Sequence, residues 1–214
     1  MQGQIKRIKK IIDRSFNEDL LWSVIADEKN IYAFTDSDDP LYLYEFNADT
    51  LETINKTRID IPGSVNAPMI YDGNIYFEVT VSGEENGDKL GKYNIKSKTI
   101  SWIETLEEIS VLSIVDMFEY KDKIYAINDG SARSEDNAII ILDPATDEQE
   151  LIEFEYSVRQ AEIKNDSLYI TDDTTLYKYA LKGNKVKLID SKEVYTEEDN
   201  NSIYYLGSFF LNDK

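Results

Sequence analysis

Asn30-Ile31-Tyr32, Asn74-Ile75-Tyr76, Lys123-Ile124-Tyr125 and Ser167-Leu168-Tyr169 are four copies of one pattern: a polar turn residue, an aliphatic residue, then tyrosine. They recur at intervals of about 45 residues. A tight polar turn precedes each copy: Asp27-Glu28-Lys29, Asp72-Gly73, Lys121-Asp122 and Asn165-Asp166. A β-rich run leads into each turn, so each copy reads as the second strand of a hairpin.

Outward from these hairpins the pattern continues. A polar loop follows each copy, then a third apolar run: Leu41–Tyr44, Leu90–Tyr93, Ile139–Leu142 and Leu176–Tyr179. Short turns come next at Asn47–Thr50, Asn94–Lys98, Asp143–Asp147 and Lys182–Asn184. A fourth run closes the unit, as in Thr99–Ile103 and Lys185–Ile189. Leu41 and Leu43 alternate with Tyr42 and Tyr44, the period-2 pattern of a strand. Four short antiparallel strands per ~45 residues is the period of a propeller blade.

The expected fold class is therefore all-β: a β-propeller of about four complete four-stranded antiparallel blades, with partial-blade strands at both termini. The chain is expected to be one domain over 1–214, its blades near 20–60, 66–105, 112–154 and 158–191. A β-sandwich of evenly spaced hairpins is the alternative, but it has no reason to repeat one tripeptide in the same hairpin. Gly3–Ser15 aligns with Gly183–Ser191 and reads as a fourth strand, although Ile5, Ile8, Ile11 and Ile12 also fit a short helix. Ile203–Leu211 reads as a first strand whose second strand does not follow. These ends predict an incomplete ring with exposed edge strands and edge-strand self-association.

The string Ile141-Leu142-Asp143-Pro144-Ala145-Thr146-Asp147 resembles the strand-turn signature of YVTN-type and quinoprotein-like propellers, and Leu43-Tyr44-Glu45-Phe46-Asn47-Ala48-Asp49-Thr50 is a looser copy. Trp102 falls where quinoprotein-like repeats often place tryptophan. The resemblance implies an architecture rather than a ligand. Residues expected to bind a quinone are not matched, so no cofactor is expected. The Trp-Asp, kelch and aspartate-box signatures of other propellers are absent.

The 214 residues hold 42 acids against 23 Lys and Arg, a formal net charge of −19. Such a chain repels nucleic-acid phosphates and anionic membrane surfaces and attracts cations or basic partners. Cysteine and histidine are both absent. This stretch therefore carries no disulfide, no zinc–thiolate set and no Ser-His-Asp triad. No run approaches the ~20 apolar residues of a membrane-spanning helix. Met1–Arg14 is basic without the uninterrupted apolar core of a signal peptide. The resemblance and the lack of cysteine point to an extracellular or cell-envelope setting.

The loops between second and third strands are acidic in every repeat. They hold Asp36, Asp38 and Asp39; Glu84, Glu85 and Asp88; Asp129, Glu135 and Asp136; and Asp172 and Asp173. The turns at the other strand ends come close to neutrality. In propellers these loops share the side that usually carries function. The expectation is a non-enzymatic binding module whose acidic face takes a cation, a basic protein or a glycan. Arg159, in the link between two blades, joins the candidate residues. Calcium is the specific cation candidate, at Asp36–Asp39 or Glu84–Asp88, although neither loop has the spacing of an EF-hand. No catalytic motif is present. The alternative from another class is a carboxylate-based glycoside-active propeller. Tyr32, Tyr76, Tyr125 and Tyr169, repeating at the structural period, are expected to pack between blades.

Overall fold

A computed structural model describes residues 20–81, 88–129, 136–172 and 174–193. The terminal strands expected over 3–15 and Ile203–Leu211 lie outside the described residues. Within them the chain is all-β, with no helix. It divides into two compact units, Met1–Thr105 and Leu106–Lys214.

The first unit is one antiparallel sheet in the order β1 (Leu20–Ala26), β2 (Asn30–Asn47), β3 (Thr53–Tyr71), β4 (Asn74–Val81), β5 (Lys89–Asn94) and β6 (Thr99–Ile103). Two of these strands each serve twice. The first half of β2 pairs with β1, Ile31 opposite Ala26, and its second half pairs with β3, Leu41 opposite Ile59. The second half of β3 then pairs with β4, Val65 opposite Val79. The Tyr42 amide donates to Thr35 Oγ1 at 2.9 Å, which ties the two halves of β2 together. Six strands thus build two four-stranded blades.

The sequence reading placed a loop at Asp36–Asp39 and a break between blades after residue 60. Instead the backbone stays extended through both, and Ser37 pairs with Gly63 and Pro40 with Pro62. Cross-strand pairing, not local composition, decides strand continuity here. Gly63 makes the crossing from one blade to the next: its φ is +147°, and a Cβ would stand 2.1 Å from the Thr80 carbonyl oxygen. Only glycine fits that backbone and that space.

The second unit is simpler. β7 (Ile114–Tyr120), β8 (Lys123–Asn128), β9 (Ala138–Leu142) and β10 (Gln149–Glu153) form one four-stranded meander. β11 (Gln160–Lys164), β12 (Ser167–Thr171), β13 (Thr175–Lys182) and β14 (Lys185–Glu193) form another. All neighbours in both are antiparallel.

Local chemistry explains the punctuation. Three of the hairpins close through two residues in the left-handed region: Asp72-Gly73, Lys121-Asp122 and Asn165-Asp166. Two positive φ values give the backbone twist that matches paired strands. The turns between third and fourth strands share a different device. Asn47, Asn94 and Asp143 each accept a backbone N–H two or three residues on with the side-chain oxygen, as at Ala145 (2.9 Å) and Ser97 (2.8 Å). Each also accepts, through its carbonyl, the amide of a left-handed residue four positions later: Leu51, Lys98 and Asp147. A short side-chain acceptor starting a turn is what aspartate and asparagine supply. The fourth repeat replaces this device with a turn at Gly183, φ +62°.

Each unit has its own apolar core. In the first, Tyr32, Phe34, Leu43, Ile59, Ile75 and Phe77 are central, and in the second, Ile127, Ile139, Ile152, Val158, Leu168 and Ile170. A fully buried side chain of this kind contributes about 1.5–3 kcal/mol. Tyr32 and Tyr76 are fully buried and Tyr125 nearly so, whereas Tyr169 is only half-buried. Gly91 lies between Phe77 and Trp102, which meet edge to face at 6.2 Å; a Cβ there would come within 2.5 Å of the Phe77 ring.

Candidate functional site

Of the residues singled out from sequence, Glu84, Glu85, Glu135 and Asp173 lie outside the described residues. Asp36, Asp38 and Asp39 are described by their backbone alone, within β2. Asp88, Asp136, Arg159 and Asp172 are described in full.

In the second unit three of these lie at one end of its two sheets. Asp136 precedes β9, and its Oδ2 accepts from the Ser110 amide (2.8 Å), the Ser110 hydroxyl and the Val111 amide (3.1 Å). Its carbonyl accepts from Asn128 Nδ2 at 2.7 Å. Asp172 follows β12. Its Oδ1 accepts from the Thr174 and Thr175 amides, both at 2.7 Å, and its Oδ2 from the Tyr177 hydroxyl at 2.8 Å. Both carboxylates therefore act as caps for the backbone beside them.

Arg159 does something else. Its guanidinium pairs with Asp129 at the end of β8, and its amide donates to the Thr171 carbonyl at the end of β12 (2.9 Å). It ties the two sheets of this unit together on the side where the loops leave β8 and β12. Ser157 Oγ donates to the other Asp129 oxygen at 2.7 Å. Asp129, in sequence only one more loop acid, is buried at 6% side-chain exposure. Nearby, Tyr156 hydrogen-bonds the Tyr179 hydroxyl and stacks on Tyr177 at 4.2 Å. Burial, then that hydrogen bond, pushes the Tyr156 phenol well above its ordinary range.

Among the described residues, no group of three or more acidic side chains is placed to hold a metal ion. In the first unit, Asp88 accepts the Val81 amide at 2.9 Å and so closes the ends of β4 and β5.

The first unit also holds a polar cluster that sequence reasoning missed. Glu78, on β4, is 1% exposed. It accepts from Asn66 Nδ2 (2.9 Å) and from Thr80 Oγ1 (2.8 Å). Asn66 Nδ2 also donates to Thr80 Oγ1 (2.9 Å), and Asn66 Oδ1 accepts from Trp22 Nε1 (3.1 Å). Trp22, at the far end of this relay, is 57% exposed. One signal could have exposed the cluster. Two residues after the recurring tyrosine stand Phe34, Ile127 and Thr171 in the first, third and fourth repeats, all buried and uncharged; the second repeat has Glu78 there.

No protein-family model matches this chain, and no curated protein matches it. Among solved structures, BamB from Moraxella catarrhalis is similar at 12% identity and a TM-score of 0.49, over 84% of this chain and 50% of that one. KlHsv2 with loop 6CD replaced by a Gly-Ser linker is similar at 15% identity and a TM-score of 0.48, over 77% of this chain and 50% of that one. The chain spans half the length of both. What its own strands establish is the architecture: an all-β propeller chain of four four-stranded antiparallel blades.

Proposed function

We propose that this chain is a non-catalytic interaction module whose acidic loop side receives a basic protein partner. The observation that carries the reading is the way Asp136 and Asp172 are held. Each accepts hydrogen bonds from backbone amides and a hydroxyl, which fix the carboxylate in place. Fixed charges, each held on its own cap, suit an extended basic surface, where complementarity sets encounter rate and specificity. A point cation would need several oxygens aimed at one centre. The finer likeness to YVTN-type and quinoprotein-like propellers belongs to this proposal and draws support from the shared turns at Asn47 and Asp143. So does an extracellular or cell-envelope setting, on the absence of cysteine.

Titration with a nona-lysine peptide tests it. Binding is expected to weaken about 10-fold between 20 and 300 mM salt, and nona-glutamate should not bind. Asp136→Asn with Asp172→Asn keeps an acceptor at each cap while removing two charges. That double variant should bind more weakly while its Tm falls by no more than a few degrees. Equal affinity for both peptides, or no loss in the double variant, would overturn the reading. Release of sugar from glycan substrates would favour the glycoside-active alternative instead.

A further inference from the structure

A buried carboxylate at a strand position where the other three repeats place Phe34, Ile127 and Thr171, none of them charged, is costly, because desolvating a charge needs several hydrogen bonds to offset it. Departures from a repeat's own rule concentrate where a protein has a task. Glu78 is such a departure, and its surroundings are distorted in a coordinated way. The register between β1 and β2 shifts between Leu21 and Ser23, leaving Trp22 as a bulged residue without a partner across the ladder. The register between β3 and β4 shifts between Asn66 and Met69, where Ala67 takes a φ of +46°. Bulges re-aim side chains. Here two of them bring Trp22 and Asn66 into one hydrogen-bonded line that ends on the Glu78 carboxylate.

The line is polarised in one direction. The indole N–H donates to the Asn66 carbonyl oxygen, and the Asn66 amide donates to the carboxylate. Negative charge at one end enriches the ring at the other, since linked hydrogen bonds reinforce one another. The residue is left more than half exposed, and it is tryptophan, the side chain whose ring attracts cations best. Trp22 also lies near the end of β1 that pairs toward Asp36, and Asn66 near the end of β3 and β4 marked by Gly63 opposite Val81. Those are the ends of the first unit at which β4 and β5 close through Asp88. An electron-rich exposed ring on a chain of net charge −19 favours a flat cation over a neutral sugar, and a planar guanidinium stacks on it better than an ammonium.

We infer that Trp22, Asn66 and Glu78 form an anchor for an arginine side chain of a protein partner, its guanidinium stacked on the Trp22 ring. The inference rests on the reading of the chain as a docking module for a basic protein, and supplies a specific contact on the first unit by itself. The fold itself offers the control substitution. The equivalent bulge in β7, where the register shifts between Ile114 and Asp116, holds Val115, 45% exposed. Trp22→Val is thus a residue this repeat already accommodates.

The experiment compares labelled nona-arginine and nona-lysine peptides by fluorescence anisotropy. Trp22 emission is followed in a Trp102→Phe background, where it is the one tryptophan left of two. Nona-arginine should bind about 3- to 10-fold more tightly than nona-lysine and shift Trp22 emission. Trp22→Val, with an unchanged circular dichroism spectrum, should erase that preference and leave nona-lysine binding intact. Equal affinities for the two peptides, unaltered by Trp22→Val, would overturn the anchor while leaving the acidic docking surface standing. Binding of neither peptide would overturn both. A neutral oligosaccharide that shifts Trp22 emission while nona-arginine does not would overturn the cationic occupant.

Discussion

The second unit is fastened at both ends by an ion pair, and the two fastenings are unlike. On the loop side Arg159 meets Asp129, with side-chain exposures of 27% and 6%. On the turn side Lys121 and Tyr120 both meet Asp166, and Lys121 and Asp166 are 67% and 66% exposed. Both pairs bridge the β7–β10 sheet to the β11–β14 sheet, so topology does not distinguish them. Solvent does. A buried charge relies on its partner because water cannot replace it, whereas an exposed charge loses little when its partner goes. The loop side is thus the end where ionic geometry is fixed, and the turn side is the end where it is replaceable.

Removing the buried partner should break this contrast most severely. Arg159→Ala leaves Asp129 with Ser157 Oγ but without its guanidinium, and should cost about 3 kcal/mol in urea denaturation. Asp129→Asn combined with Arg159→Gln removes both charges and should recover more than half of that loss. A double variant as unstable as the single one would mean that packing, not charge, carries the contact. Next in size is Asp172→Ala, which strips acceptors from the Thr174 and Thr175 amides and the Tyr177 hydroxyl. Its expected cost is about 1–2 kcal/mol. Asp172→Asn, which keeps an acceptor, should cost about 0.5 kcal/mol or less on the same scale.

How much of this was legible beforehand follows the range of the interactions. The hairpin turns were readable because Asp72-Gly73 and Asn165-Asp166 carry their backbone preference in their own side chains. The turns at Asn47 and Asp143 were readable for the same reason. The continuity of β2 and β3 was not, because Pro40, Pro62 and Gly63 look like loop chemistry and only pairing across the sheet keeps them extended. In the candidate site, charge was visible but its use was not. Asp136 is held by Ser110 and Val111, and Asp129 by Arg159, each partner at least 25 residues away in sequence. Glu78 escaped notice because Phe77-Glu78-Val79 reads as ordinary alternation with the acid facing out. Only comparison with Phe34, Ile127 and Thr171 marks it as buried.

The smallest effects belong to the turn side, and they sharpen the contrast by their sign. Lys121 sits at a φ of +50°, a conformation that suits asparagine better than lysine. Lys121→Asn loses an exposed ion pair and relieves that backbone, so Tm should stay within about 2 °C of the original or rise slightly. A clear fall would show that the exposed pair matters more than its exposure allows. Acid gives an independent check. The Lys121 hydrogen bond, then that of Tyr120, holds the Asp166 carboxyl below its usual range. A carboxyl lowered on folding stabilises the folded state above its unfolded value near pH 4, and loses that contribution as pH falls through the lowered folded value. The Tm gap between the original chain and Asp166→Asn should therefore be small at pH 7, shrink further toward pH 2, and shrink also at 1 M salt, where exposed pairs are screened. A gap that persists unchanged in acid would assign the stabilisation to the Tyr120 hydrogen bond rather than to charge.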